Sequence, residues 1–178
     1  MRRFYLVAFF LLVSVQLSWS QVGVNSLNVG FDAGITLNEF FQNEFPAGFG
    51  GSVKALYGVG MNGQVSLTGG FTYFPIKSTI ALPAGDNVAF NLMPLTIGYR
   101  MFFDQLFFEP QVGGALHVTR NRFAQNSDNV TTAELGFAAE AGYVFDPFEL
   151  SFRYQHTGRS PFHMGFLAVR VMYRIPVF

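Results

Sequence analysis

The sequence predicts an all-β chain, an eight-stranded antiparallel up-and-down barrel that crosses a membrane, and three observations carry that prediction. Apolar and polar residues alternate with period two over segment after segment of the 178-residue chain, the signature of strands whose successive side chains point to opposite faces. The bulky members of each alternation share one face, and every strand charge falls on the other face among Gly, Ala, Ser and Thr. The connections also alternate, long after the first, third, fifth and seventh segments and short after the second, fourth and sixth.

The clearest alternation is Thr131 to Gly158, two strands joined by a minimal turn at Asp146-Pro147. Leu135, Phe137, Ala139, Ala141, Tyr143 and Phe145 share a face against Glu134, Gly136, Ala138, Glu140 and Gly142. After the turn, Phe148, Leu150, Phe152 and Tyr154 oppose Glu149, Ser151, Arg153 and Gln155. A soluble sandwich would bury the bulky face. A barrel in lipid turns the pattern round, with bulky groups facing hydrocarbon and small or charged groups facing the lumen.

The N-terminus reads as a secretory leader over residues 1–20, with the mature domain over residues 21–178. Arg2 and Arg3 precede the apolar run Phe4 to Val15, and Ser18-Trp19-Ser20 places small residues ahead of a cut before Gln21. The first strand is then Leu27 to Asn38, with Asn28, Gly30, Asp32, Gly34 and Thr36 inward. The second covers Ala47 to Tyr57 and carries Lys54 inward, and the third runs from Gln64 to Phe74. The connection Pro75 to Asn87 is too rich in Pro and Gly to be strand throughout. The fourth strand is Val88 to Phe102 with Arg100 inward, and the fifth is Leu106 to Thr119 with Glu109 and His117 inward. A polar connection from Arg120 to Val130 leads into the hairpin above. Gly158 to His163 joins that hairpin to the last strand, Met164 to Phe178, which carries Arg170 and Arg174 inward. Pro94, Pro110 and Pro176 fall inside these segments, where bulges or strand ends are expected because a closed barrel has no free edge.

Composition narrows the function classes. Eleven basic and eleven acidic residues balance, so nothing favours nucleic acid. Charged residues are 12% of the chain, against about 25% in ordinary soluble domains. Aromatics reach 17%, with 23 Phe, yet no apolar run after the leader has helical spanning length. There is no cysteine, hence no disulfide framework or thiolate chemistry. No phosphate-binding glycine loop, zinc spacing or nucleophile elbow is present, so neither cofactor nor metal is expected.

Sorting charges by face gives a candidate lumen network: Asp32, Glu109, Glu134, Glu140 and Glu149 against Lys54, Arg100, Arg153, Arg170 and Arg174. A cation on the lipid face near the midplane would cost about 2–4 kcal/mol, whereas five acids and five bases can pair inside. Aromatic girdles are expected at both rims: Tyr57, Phe103, Tyr143, Phe145, Phe148, Tyr173 and Phe178 near the short turns, and Phe41, Phe45, Tyr73, Phe74, Phe90, Tyr154 and Phe166 near the long loops. A soluble lipid-binding barrel, apolar inside, is the competing fold. Side-chain size decides against it, since the interior of eight strands has no room for the Phe, Tyr and Leu of the bulky face.

The segment Asn91 to Leu116, NLMPLTIGYRMFFDQLFFEPQVGGAL, with its aromatic-flanked short turn and Gly-Gly strand, resembles the small bacterial outer-membrane β-barrel domain family. That resemblance implies a monomeric barrel in the bacterial outer membrane, contacting its lipid. It also implies a C-terminal aromatic, here Phe178, read by the barrel-assembly machinery. A second run, Phe152 to Ser160 (FRYQHTGRS), is similar to a strand end of the lipid A deacylases and makes His156 a candidate catalytic residue. That family has a nucleophilic Ser two residues after the His and an acid about one strand later; Gly158 and Arg170 stand there. A His without nucleophile or orienting acid cannot run acyl transfer, so an enzyme is not expected. A structural or surface-interaction role with a filled, charge-paired lumen is the first expectation, and a narrow solute channel the second.

Overall fold

The computed structural model describes residues 25–60, 63–77, 80, 87–123, 126–159 and 163–177. The expected leader, residues 1–20, and Phe178 lie outside these residues. Eight antiparallel strands, each bonded to its neighbours in sequence, close into one barrel: β1 (Ser26–Thr36), β2 (Ala47–Val59), β3 (Gly63–Pro75), β4 (Asn87–Phe103), β5 (Leu106–Phe123), β6 (Asn126–Phe145), β7 (Phe148–Thr157) and β8 (Met164–Pro176). The last strand pairs with the first from Ser26↔Pro176 to Thr36↔Phe166, so no edge remains along that seam.

Closure requires a stagger between strands. Crossing the ladder from Ser26 through Leu56, Ser66, Gly98, Gln111, Ala138, Gln155 and Phe166 returns to β1 at Thr36. The displacement is even, so an inward residue meets inward residues all the way round. Glycine permits close approach where the strands coil tightly. A Cβ on Gly113 would lie 2.2 Å from the Leu95 carbonyl oxygen, and one on Gly34 2.1 Å from that of Leu167.

Polarity is inverted as the alternation predicts. Phe31 is 66% exposed, Phe152 63% and Leu135 82%, while Lys54, Arg100, Glu109, Glu140 and Glu149 are fully buried. No described helix is long and apolar enough to cross a membrane. The strands cross it, and the outer wall up to the level of Leu116 carries no charge, as hydrocarbon requires, while the outward-facing Arg120 lies beyond it toward the long-loop end of β5.

Four features depart from the sequence expectations. The first concerns the prolines, because β4 and β5 run straight through Pro94 and Pro110 without a bulge. Pro94 stays paired with Ala115 and Pro110 with Ala139. The ladder lapses only on the opposite side, between Gly69↔Leu95 and Thr72↔Leu92 on β3–β4, and between Gly98↔Gln111 and Met101↔Phe108 on β4–β5, and the register resumes unshifted. A strand residue donates its N–H to one neighbour only, so a proline there loses one bond. Pro176 ends β8.

The second is the connection Arg120 to Val130, which is mostly strand: β5 and β6 remain paired out to Phe123↔Asn126. β7 begins its pairing with β6 only at Gly136↔Thr157, so this hairpin projects beyond the barrel wall. The third is a short helix, α1 (Glu39–Glu44), in the first long connection. The Asn38 side-chain oxygen accepts from the Phe40 N–H at 2.9 Å, an N-cap, and the Asn38 amide donates to the His163 carbonyl at 2.8 Å. The fourth is the outer aromatic girdle. Phe45, Phe74, Phe90 and Phe166 are buried inside the barrel, with Phe41 packed against them; Tyr73 and Tyr154 alone of that set face outward.

Val169 sits at the middle of the outer wall, between Phe152 and Ala33. Val169→Arg should lower folding stability in phospholipid vesicles by about 2–4 kcal/mol, measured by urea titration. A neutral effect would place this face in water.

Candidate functional site in the barrel interior

The interior is built in layers. Toward the short turns Leu56, Phe107 and Met172 are buried, and the Arg100 guanidinium lies 3.8 Å from the centroid of the Phe107 ring, a cation–π contact. Arg100 reaches the Glu149 carboxylate with both terminal nitrogens, at 2.6 and 2.8 Å, and its Nε donates to Glu109 at 2.7 Å. The bidentate fork fixes orientation as well as charge.

The middle layer centres on Glu140. One of its oxygens accepts from Lys54 Nζ at 2.9 Å and from Arg170 Nη1 at 2.9 Å, with Arg153 Nη1 at 3.5 Å. Its other oxygen accepts from the Ser151 hydroxyl at 2.9 Å. Lys54 also donates to Glu109 at 3.0 Å, Arg170 grips Asp32, and Arg153 donates to Gln111 Oε1 at 2.5 Å. Ser66 and Gln111 satisfy the remaining Glu109 oxygen at 2.6 Å each. Four acids and four bases from seven strands thus form one neutral network.

Two residues assigned to that network by face lie apart from it. Arg174 is at the short-turn rim, its Nη1 3.6 Å from Asp146, whose side chain is 82% exposed. Glu134 lines a cavity at the opposite mouth with His117 and Phe41. Arg174 sits near the end of β8 and Glu134 on the part of β6 that extends past the end of β7, and face parity alone carries no information on depth.

Above the network the interior turns apolar. Phe45, Phe74, Phe90, Leu92, Ala115, Met164, Phe166 and Ala168 form a buried cluster, with Phe74 meeting Phe166 at 5.0 Å and Phe90 at 5.7 Å. α1 closes this plug. The Thr36 hydroxyl donates to the Phe45 carbonyl at 2.8 Å and the Lys77 N–H to the Glu44 carbonyl at 2.7 Å, holding the first connection across the mouth. The lumen is therefore ion-paired only over its middle and short-turn side. Residue parity was the available signal: Phe74 continues the inward series of Ser66, Thr68 and Thr72, and Leu92 and Phe90 continue that of Arg100 and Thr96.

His156 faces outward near the long loops, stacked between Phe137 at 5.1 Å and His163 at 4.8 Å. No side-chain hydrogen bond joins its ring to another described residue. Gly158, where a deacylase nucleophile would stand, has φ of 88°, a left-handed conformation that disfavours any other residue there. Arg170 is inside the barrel on Asp32 and Glu140. Ser160 lies outside the described residues. The described residues hold no cluster of His and carboxylates able to bind a metal ion.

No protein-family model matches the sequence, and no curated protein matches it. Solved structures do. Ail, the attachment invasion locus protein of Yersinia pestis, in complex with the heparin analogue sucrose octasulfate, superposes with a TM-score of 0.67 at 12% identity, covering 86% of this chain and 99% of that one. The N-terminal β-barrel domain of Pseudomonas aeruginosa OprF matches with a TM-score of 0.59 at 15% identity over 86% and 99% of the two chains. Neisserial surface protein A matches with 0.55 at 12% identity over 85% and 97%. The fold is that of the eight-stranded outer-membrane barrels.

Glu140→Gln removes the charge shared by three buried cations, and should cost about 3–5 kcal/mol in unfolding free energy. Arg174→Gln, at the rim with a single long contact to the exposed Asp146, should cost less than about 1 kcal/mol. Equal losses from the two, followed by circular dichroism in urea, would deny the network its central position.

Proposed function

We propose that the chain is a monomeric barrel of the bacterial outer membrane with a structural or surface-interaction role exercised at its long-loop end, and that its interior is a closed, ion-paired support rather than a conduit. In this reading the leader directs export, and Phe178 is the residue offered to the assembly machinery. Outer-membrane lipid is its solvent, and the barrel-assembly machinery is its partner during insertion.

The filled interior carries this reading. An eight-stranded barrel has just enough room for its own side chains. Here Arg100, Glu140, Arg153 and Arg170 occupy the axis, and the Phe74–Phe90–Phe166 cluster closes the outer end. An ion crossing would have to part buried salt bridges and then shed its water against phenyl rings, both costly steps. What is left to meet a partner is the mouth with α1 and the projecting β5–β6 hairpin, joined on the sequence reading by the connections Pro75 to Asn87 and Gly158 to His163. An enzymatic role finds no support at His156, which has a stacking partner on each side and no nucleophile beside it among the described residues.

Purified barrel in planar bilayers should give no steady conductance. A reproducible single-channel current that Arg100→Ala or Glu140→Ala alters would establish the narrow channel instead.

A further inference from the structure

The outer mouth holds a cavity that the charge network does not reach and that the apolar plug only walls, through Phe45 and Phe90. It measures about 320 Å³, and lies between α1 and the inner faces of β4, β5 and β6, at the small end of the range for small-molecule sites. Phe40, Phe41 and Phe90 supply aromatic walls, and Glu44, Glu134 and His117 supply the polar groups.

Three features fix the chemistry of an occupant. Glu44 stands exposed on the rim and Glu134 half-buried on the wall, and neither is ion-paired with a described cation, unlike Asp32, Glu109, Glu140 and Glu149 deeper in. Phe40, Phe41 and Phe90 line the cavity, and aromatic rings attract positive charge over their faces. His117, nine-tenths buried, bonds the Thr157 hydroxyl through Nε2 at 2.9 Å and packs edge-on against Phe90 at 5.4 Å. Its second ring nitrogen has no hydrogen-bond partner among the described residues. The three polar groups do not converge closely enough to hold a metal ion.

We propose that this cavity binds a small organic ammonium ion, with its charge toward Glu134 and Glu44 and its apolar body against the phenyl rings. An anion would meet two uncompensated carboxylates, and a neutral hydrocarbon would leave both without a counter-charge. The site is independent of the surface role proposed above: a barrel with no macromolecular partner would still possess it.

The test uses the mature chain folded in an uncharged maltoside detergent, since choline detergents carry the proposed group themselves. n-Butylammonium is titrated against amide chemical shifts, with n-butanol and butyrate as the uncharged and anionic probes of the same shape. Saturable binding of n-butylammonium, at least about tenfold tighter than either control, is expected. Glu134→Gln and Glu44→Gln should each weaken it about tenfold while the far-ultraviolet circular dichroism of the barrel stays unchanged. Phe41→Leu, which keeps an apolar wall but removes a ring, should weaken n-butylammonium and leave n-butanol unchanged. Absence of saturable binding, equal affinity for n-butanol, or indifference to both Glu substitutions would overturn the proposal.

Discussion

Hydrocarbon offers a backbone nothing to bond to, and the architecture of this chain follows from that constraint. Each N–H and C=O within the bilayer needs a partner in the chain itself, and an open sheet would leave two edges without one. Joining β8 to β1 removes those edges. Closure then divides the side chains into an outer set dissolved in lipid and an inner set packed against itself. The outer set can be any size but cannot be charged, and the inner set can be charged only if paired. The same constraint explains how Pro94 and Pro110 survive in mid-strand. Each forfeits a single ladder bond on one side and keeps its pairing on the other.

The interior is less a source of stability than of definition. Taking four acids and four bases out of water is expensive, and their mutual attraction offsets that cost only with close, saturated geometry. Here the geometry is close: Glu140 gathers cations from β2, β7 and β8, and Ser66, Ser151 and Gln111 fill remaining lone pairs. A shift of one strand by two residues would keep inward and outward faces but break these pairs. The network therefore selects one register among those the alternation alone would allow. The apolar layers at either end complete the filling, so the barrel works as a post that carries its outer mouth and loops.

Much of this was legible in the residues because period-two alternation is read directly as inside and outside. The assignment of Asp32, Lys54, Arg100 and Arg153 to one face needed nothing but counting. What counting does not give is height along the axis. Glu134 and Arg174 have the parity of network members and sit near the two mouths, too far from the centre to join. Phe74, Phe90 and Phe166 have inward parity as well, yet their size and their place beside long loops suggested a girdle. The plug that claims them depends on α1 folding back over the mouth, a tertiary event set by the Asn38 cap and its bond to the His163 carbonyl. The polar run from Arg120 to Val130 has the composition of a loop, and it is strand because β5 and β6 keep supplying each other's hydrogen bonds above the wall.

The chain has no cysteine of its own, so a single nitroxide can be placed anywhere without background. The most direct test is oxygen against aqueous-nickel accessibility for labels at Phe137, Phe152 and Val169 in lipid vesicles. All three should report high oxygen and low nickel collision rates, as probes in hydrocarbon do. Labels reached freely by the nickel chelate, or immobilised and shielded from both reagents as in a packed core, would contradict an outward apolar face and the inverted barrel with it.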